Sequence, residues 1–150
     1  MTDITTTPPS TGSSEDLVEA YFRAWNGHDP SALVAVFSEE GTYQDPSLPE
    51  PVTGDAIAGY AAALLGVFPD LAFSVDETTA EADRTVVAWH MTGTNTGPFP
   101  GLGGPTGASV DLPGIDVITV GPGGVTSVVG YFDQLGLLGQ LRVPVQIGGA

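Results

Sequence analysis

The spacing of the apolar residues changes at Pro69-Asp70, and this change constrains the fold more than any other feature of the sequence. Before it, apolar residues recur at helical spacing; after it, apolar and polar residues alternate, as they do in strands that bury one face. Helices followed by consecutive strands are typical of an α+β domain. We therefore expect three helices to cover one face of a curved, antiparallel or mixed β-sheet.

Capping residues mark where the three helices begin. Ser13 and Asp16 resemble a capping box at the start of the first helix. Asp29-Pro30 combines a capping residue with proline at the first helical position, and the apolar residues of this second helix run to Phe37. Asp55 caps a third helix, whose apolar stripe ends before the change of period.

The strands are predicted from alternation and from the turns between them. A short strand is expected at 42–45, a first hairpin at 71–76 and 85–94, and a second hairpin at 112–120 and 125–133. A short helical turn follows at the end of the last strand. The order of these elements predicts one antiparallel meander.

The domain is expected to span residues 14–142. Residues 1–13 are rich in Thr, Ser and Pro and predict a disordered tail, and residues 143–150 predict a C-terminal tail. Between the hairpins, residues 95–107 hold five glycines and three prolines around two large apolar side chains. This irregular loop is a candidate lid.

Composition excludes several classes of function. The absence of cysteine excludes disulfides and thiolate chemistry, and the absence of lysine excludes a Schiff base. A formal net charge of −15 disfavours nucleic acid and anionic membranes as partners. Without a targeting or membrane-spanning segment, we expect a cytoplasmic protein whose small-molecule ligand is neutral or weakly polar.

Asp116 stands among apolar residues of the second hairpin, and a buried carboxyl group is costly unless it is paired or used. A regular pleat directs it into the interior, together with Leu112 and Ile118. Burial would raise its pKa and suit it to general acid/base chemistry, whereas hydrogen bonds to tyrosine or backbone would make it structural. Asp45 serves either as a local turn former or as a pocket residue, and it shares a proton with Asp116 if the two meet.

Five short motifs, in order along the chain, resemble the SnoaL-like polyketide cyclases, whose cone-shaped α+β fold is shared with nuclear transport factor two and limonene-epoxide hydrolase. They are Tyr21-Phe-Arg-Ala-Trp-Asn-Gly-His-Asp-Pro30, Tyr43-Gln-Asp-Pro46, Phe68-Pro-Asp70, Gly93-Thr-Asn-Thr-Gly97 with Pro105-Thr-Gly107, and Asp133-Gln-Leu-Gly-Leu-Leu-Gly-Gln-Leu141. The resemblance covers roughly residues 15–142. It implies a deep apolar pocket inside the cone and a homodimer formed through the other face of the sheet.

The resemblance also implies a site, with one departure. Family cyclases of the aldol type use an aspartate three residues before the position that matches Asp133, and here that residue is Gly130. The family's pocket histidine matches Asp116, and its pocket asparagine matches Asp45. We expect these two carboxyl groups to be catalytic.

His90 is a third catalytic candidate, because it lies on a predicted strand, one of whose two faces must line the pocket. Its own face carries Ala88 and Thr92, whereas Trp89 and Met91 share the other. No spacing of ligands predicts a metal site, and no cofactor is expected. The residues expected to bind substrate are Trp25, Tyr43, Tyr60, Trp89, Met91, Phe99, Gly130 and Phe132.

The expected function is a cofactor-independent polyketide cyclase of natural-product biosynthesis. Without an acid at Gly130, a pericyclic, cycloaddition-type closure with hydrogen bonds orienting the substrate is favoured. The alternatives are an aldol or Michael-type cyclase with Asp116 as acid/base, an epoxide hydrolase or isomerase, and a non-catalytic binding protein.

Overall fold

The computed structural model describes residues 14–99 and 103–146. Its helices are α1 (Ser14–Asn26), α2 (Pro30–Val36), α3 (Asp55–Val67) and α4 (Gln134–Gln140). Its strands are β1 (Phe37–Gln44), β2 (Val52–Thr53), β3 (Ala72–Glu81), β4 (Arg84–Thr94), β5 (Ser109–Gly121) and β6 (Gly124–Phe132). The predicted cap Ser13, the predicted tail 1–13 and the end of the other tail lie outside the described residues.

These strands form one curved sheet in the order β2-β1-β6-β5-β4-β3. Strand β1 runs parallel to β6, whereas the other neighbouring strands are antiparallel. The predicted α+β fold with a mixed sheet is therefore confirmed. The register of the second hairpin places Asp116 directly opposite Gly130.

The first strand begins earlier than predicted. Phe37 does not continue the second helix: its backbone N–H donates to Val34 and closes α2, while its own φ of −82° and ψ of 149° are extended. Phe37 then pairs with Val125 of β6. The two-residue strand β2 was not predicted, because an edge strand this short carries no alternation to read.

The core lies between the helices and the inner face of the sheet. Helix α1 buries a stripe at helical spacing and packs on β3, β4 and β5. On β4, burial alternates, so that Val87, Trp89 and Met91 point inward. The outer face is partly apolar, since the exposed side chains of Ile115 and Tyr131 lie opposite each other. The homodimer implied for this face stays a prediction.

Asn95 anchors the loop that follows β4. Its side chain is fully buried, donates to the carbonyl groups of Val67 and Gly97, and accepts from the backbone N–H and the hydroxyl of Thr106. This asparagine therefore ties both ends of the loop to the end of α3. Residues 100–102 of the candidate lid lie outside the described residues, so the lid stays a prediction.

Within the part of the chain that the structure describes, none of the helices combines the length and the apolar character needed to cross a membrane.

Gly97 is predicted to be required for docking the loop on α3. A Cβ atom at this position would overlap the backbone carbonyl of Gly66, which cannot move away as a side chain can. We expect Gly97→Ala to lower the free energy of unfolding by about 1–3 kcal/mol. Gly59→Ala is the control, because a Cβ there meets nothing within 4 Å and the change raises stability by about 0.5–1 kcal/mol in a helix. Urea unfolding measures both, and equal effects would contradict the account.

Candidate active site

A cavity of about 480 Å3 opens between the inner face of the sheet and the helices. Most of its wall is aromatic or aliphatic, and its polar groups come from β1, the loop after β1, β5 and the helices α1, α3 and α4. The structure places all eight predicted substrate-binding residues on this wall, namely Trp25, Tyr43, Tyr60, Trp89, Met91, Phe99, Gly130 and Phe132. Asp45 and Asp116 lie there too.

Asp45 lies just beyond β1 with both carboxyl oxygens occupied. Its Oδ2 accepts from the hydroxyl groups of Tyr43 at 2.6 Å and Tyr60 at 2.5 Å. Its Oδ1 accepts from the backbone N–H of Ser47 at 2.8 Å and from the Ser47 hydroxyl at 2.5 Å. Asp45 therefore forms the local turn and faces the pocket at once, and each of its oxygens accepts two hydrogen bonds from tyrosine or serine groups.

Asp116 is 4% exposed, and its side chain points into the cavity from the middle of β5. Burial raises the pKa of Asp116 to about 7, the nearby Trp89 and Tyr21 side chains lower it, and the charge of Asp45 raises it. No cationic side chain of the described residues lines the cavity to offset this. Near neutral pH the Asp116 carboxyl group therefore exists in both protonation states.

Gly130 provides the space that Asp116 uses. A Cβ atom at position 130 would lie 2.9 Å from Asp116 Oδ1 and 3.4 Å from Asp45 Cβ. A larger side chain would push the Asp116 carboxyl group away. The strand position where the resemblance implies an acid is thus empty, and the carboxyl group of the neighbouring strand extends over it.

His90 was expected among the catalytic residues, and the structure places it elsewhere. The side chain points to the outer face of the sheet, is 43% exposed, and pairs with Asp76 through Nδ1 at 2.5 Å. The described lining of the cavity comes from the opposite face, with Trp89 and Met91. The alternation along β4 predicted two faces but not which of them lines the cavity. The more apolar face, with Trp89 and Met91, is the one that packs under the helices.

Asp133 caps the closing helix α4 by accepting from the backbone N–H of Gly136 at 2.8 Å. It does not appear among the described lining residues. The described residues also contain no group of three or more His, Asp or Glu side chains able to hold a metal ion.

Tyr21, Ser47 and Gln134 are polar lining residues that the sequence did not predict, and Tyr21 is the most deeply buried of them. It lies on α1, one helical turn before Trp25, and is 1% exposed. Its place on an apolar stripe indicated core packing, which is the usual role of such a residue. That Tyr21 lines the same cavity as Asp116 is a signal that only the folded chain provides.

Structural comparison finds close relatives of this fold. A proposed SnoaL-like polyketide cyclase of Jannaschia sp. CCS1 is 26% identical with a TM-score of 0.77, covering 88% of this chain and 93% of its own. AclR, a proposed hydroxylase of Streptomyces galilaeus, is 24% identical with a TM-score of 0.75, covering 89% and 84%. IdmH, a proposed polyketide cyclase of Streptomyces antibioticus, is 20% identical with a TM-score of 0.74, covering 87% and 99%. The last two show the fold alone.

Sequence comparison gives the family. No curated protein matches the chain in sequence. The model of the SnoaL-like domain matches residues 18–128, which include most of α1, most of the sheet and both cavity aspartates. The cone-shaped fold, the cavity and this match agree, and the chain belongs to the SnoaL-like domain family.

Proposed function

We propose that the protein is a cofactor-independent cyclase that closes a carbon ring in a polyketide-like substrate, with Asp116 as the acid/base group. The support comes from one observation: a carboxyl group with a pKa of about 7 lies in an apolar cavity beside a second acid whose oxygens are occupied. A general base works best when its pKa is near the operating pH. Asp116 meets this condition, whereas an ordinary aspartate does not.

The proposed reaction uses one proton and returns it. The Asp116 carboxylate removes a proton from a carbon flanked by carbonyl groups, and the electron pair of the broken C–H bond forms an enolate. The enolate carbon attacks a second carbonyl of the same molecule and forms the C–C bond. The resulting alkoxide takes the proton back from Asp116, so the product has the composition of the substrate.

The charge and shape of the cavity suit a neutral, extended substrate. The arginines Arg23, Arg84 and Arg142 are exposed and none lines the described wall, so nothing there holds a phosphate or carboxylate. Aromatic rings, among them Trp25 and Trp89, offer flat surfaces for unsaturated chains. A folded substrate between such surfaces brings its reacting ends together.

A cycloaddition remains the second candidate, favoured by the mainly apolar wall of the cavity. This reaction needs positioning and no proton transfer, so Asp116 would at most hydrogen-bond the substrate. Epoxide hydrolysis adds water to the substrate, whereas ring closure leaves its mass unchanged. Mass spectrometry therefore separates hydrolysis from closure, and the variants below separate the two kinds of closure.

Asp116→Asn is expected to lower turnover by at least about a hundredfold while leaving substrate binding nearly unchanged, because the amide keeps the shape and cannot accept the proton. The assay follows an isobaric product formed from a linear polyketide precursor. Asp111→Asn is the control, since Asp111 is exposed on the same strand and points outward. Full turnover in the Asp116 variant would rule out acid/base closure and leave the cycloaddition.

The pH dependence of kcat/KM is expected to follow the titration of the Asp116 carboxyl group. Below pH 7 the carboxylate fraction of Asp116, whose pKa is raised to about 7, falls tenfold per unit, so kcat/KM should fall tenfold per unit too. Above pH 7 the rate should level off. A rate independent of pH across this range would contradict a base and favour positioning alone.

Stability gives a test that needs no substrate. The folded protein holds the Asp116 proton up to about pH 7, whereas the unfolded chain loses it near the ordinary pKa of 3.8. The stabilising effect of this proton is therefore complete below pH 3.8 and is lost as the pH rises to about 7. Relative to Asp116→Asn, wild type should lose about 1.4 kcal/mol of unfolding free energy per pH unit in this window.

Urea unfolding of the two proteins, with Asp111→Asn as the reference, measures this loss. A difference between wild type and Asp116→Asn that stays constant from acid to neutral pH would show that the carboxyl group titrates normally.

A further inference from the structure

Three rings of the cavity wall, those of Trp25, Phe73 and Trp89, form what we call the aromatic corner. The centroid of the Phe73 ring lies 5.6 Å from that of Trp25 and 5.0 Å from that of Trp89. The interplanar angles are 63° and 86°, so the rings are walls that meet at steep angles and do not stack in parallel.

The aromatic corner presents carbon to the cavity. The Nε1 atoms of Trp25 and Trp89 are buried and have no hydrogen-bond partner among the described residues. A ligand in the cavity consequently meets the carbon atoms of the rings, whose faces carry partial negative charge. Such faces attract a cation that lies within about 6 Å of the ring centroid.

Asp116 places a carboxyl group beside this corner. Trp89 belongs to the corner and also interacts with Asp116, whose pKa it lowers. The Asp116 side chain is 4% exposed and lines the cavity, yet the part of the wall that the structure describes contains no cationic side chain. A positive charge within about 4–6 Å is what stabilises a buried carboxylate. The cavity therefore offers a negative group without a counter-ion.

Other charges of the protein act in the same direction. Asp45 lines the same cavity, and its charge raises the pKa of Asp116. The whole chain has a formal net charge of −15. A field of this sign concentrates cations near the cavity and repels anions.

We propose that the cavity also binds organic ammonium ions, with the positive nitrogen between the aromatic corner and the Asp116 carboxylate. Such a ligand supplies the missing counter-ion, and its apolar groups contact the rest of the wall. This inference goes beyond the proposed ring closure, because it concerns binding alone. A bound ammonium ion occupies the carboxylate that acts as the base, so ligands of this class also inhibit ring closure.

Two probes of nearly the same shape test the inference without turnover. Benzyltrimethylammonium carries a permanent positive charge, and neopentylbenzene has a carbon atom in place of the charged nitrogen. The quaternary nitrogen has no proton to lose, so any pH dependence of its binding belongs to the protein. Both tryptophans of the chain line the cavity, so quenching of their fluorescence follows binding. Salt at about 0.15 M screens the attraction by distant surface charges.

The wild type should bind benzyltrimethylammonium at least about tenfold more tightly than neopentylbenzene at about pH 8. Between about pH 8 and about pH 6 the carboxylate fraction of Asp116, whose pKa is raised to about 7, falls about tenfold. The affinity for the cation should fall by the same factor, and the affinity for neopentylbenzene should stay constant.

Asp116→Asn should lower the affinity for the cation about tenfold at about pH 8 and remove its pH dependence. Binding of neopentylbenzene should be retained, which verifies that the variant is folded with its cavity intact. Asp111→Asn is the matched control, since it removes an exposed acid of the same strand and should behave as the wild type does.

Three results would overturn the inference. They are equal affinities of the wild type for the two probes, an affinity for the cation that does not change with pH, and a preference for the cation that survives in Asp116→Asn. The last result would assign the attraction to the acidic surface. The pH dependence of the wild type decides the question even if the variant does not fold. Ring closure without cation binding would remove this inference and leave the proposed cyclase standing, and cation binding without ring closure would do the reverse.

Discussion

Asp116 and Asp45 face one apolar cavity, and their different surroundings organise its chemistry. Asp45 has four donors on its two oxygens, so it is held in place by Tyr43, Tyr60 and Ser47. Asp116 is buried, which raises its pKa more than the Trp89 and Tyr21 side chains lower it. The nearby charge of Asp45 raises the pKa further. One carboxyl group is therefore held in place by four hydrogen bonds, while the other, whose pKa burial raises to about 7, can gain and lose a proton near neutral pH.

The fold supplies this difference through the pairing of β5 with β6. Asp116 lies opposite Gly130, and the missing side chain leaves room for its carboxyl group. The parallel pairing of β1 with β6 then brings Asp45 to the same place. An acid expected on one strand has been replaced by an acid on the next strand, directed at nearly the same point. The absence of an acidic side chain at position 130 is thus compatible with acid/base chemistry.

Much of the fold could be predicted from the sequence, because capping residues and apolar periodicity depend only on neighbouring residues in the chain. The helices, both hairpins and the inward direction of Asp116 follow from such patterns. The register of the second hairpin does not follow from its short turn, because an irregularity between Thr119 and Val120 shifts the pairing by one residue and puts Asp116 opposite Gly130. The parallel β1–β6 pair and strand β2 depend on contacts between distant residues. His90 and Trp89 alternate on one strand, so only packing decides which of them meets the cavity. Tyr21 looked like a core residue because its stripe is apolar.

Direct titration of the Asp116 side chain tests the central claim. Carbon-13 NMR of the aspartate carboxyl groups, with the Asp116 signal identified by its absence in Asp116→Asn, gives the midpoint of this group alone. The account predicts a midpoint close to the raised pKa of about 7. A midpoint near the ordinary value of 3.8 would mean that Asp116 is a normal ionised carboxylate, and its role as the acid/base group would be contradicted.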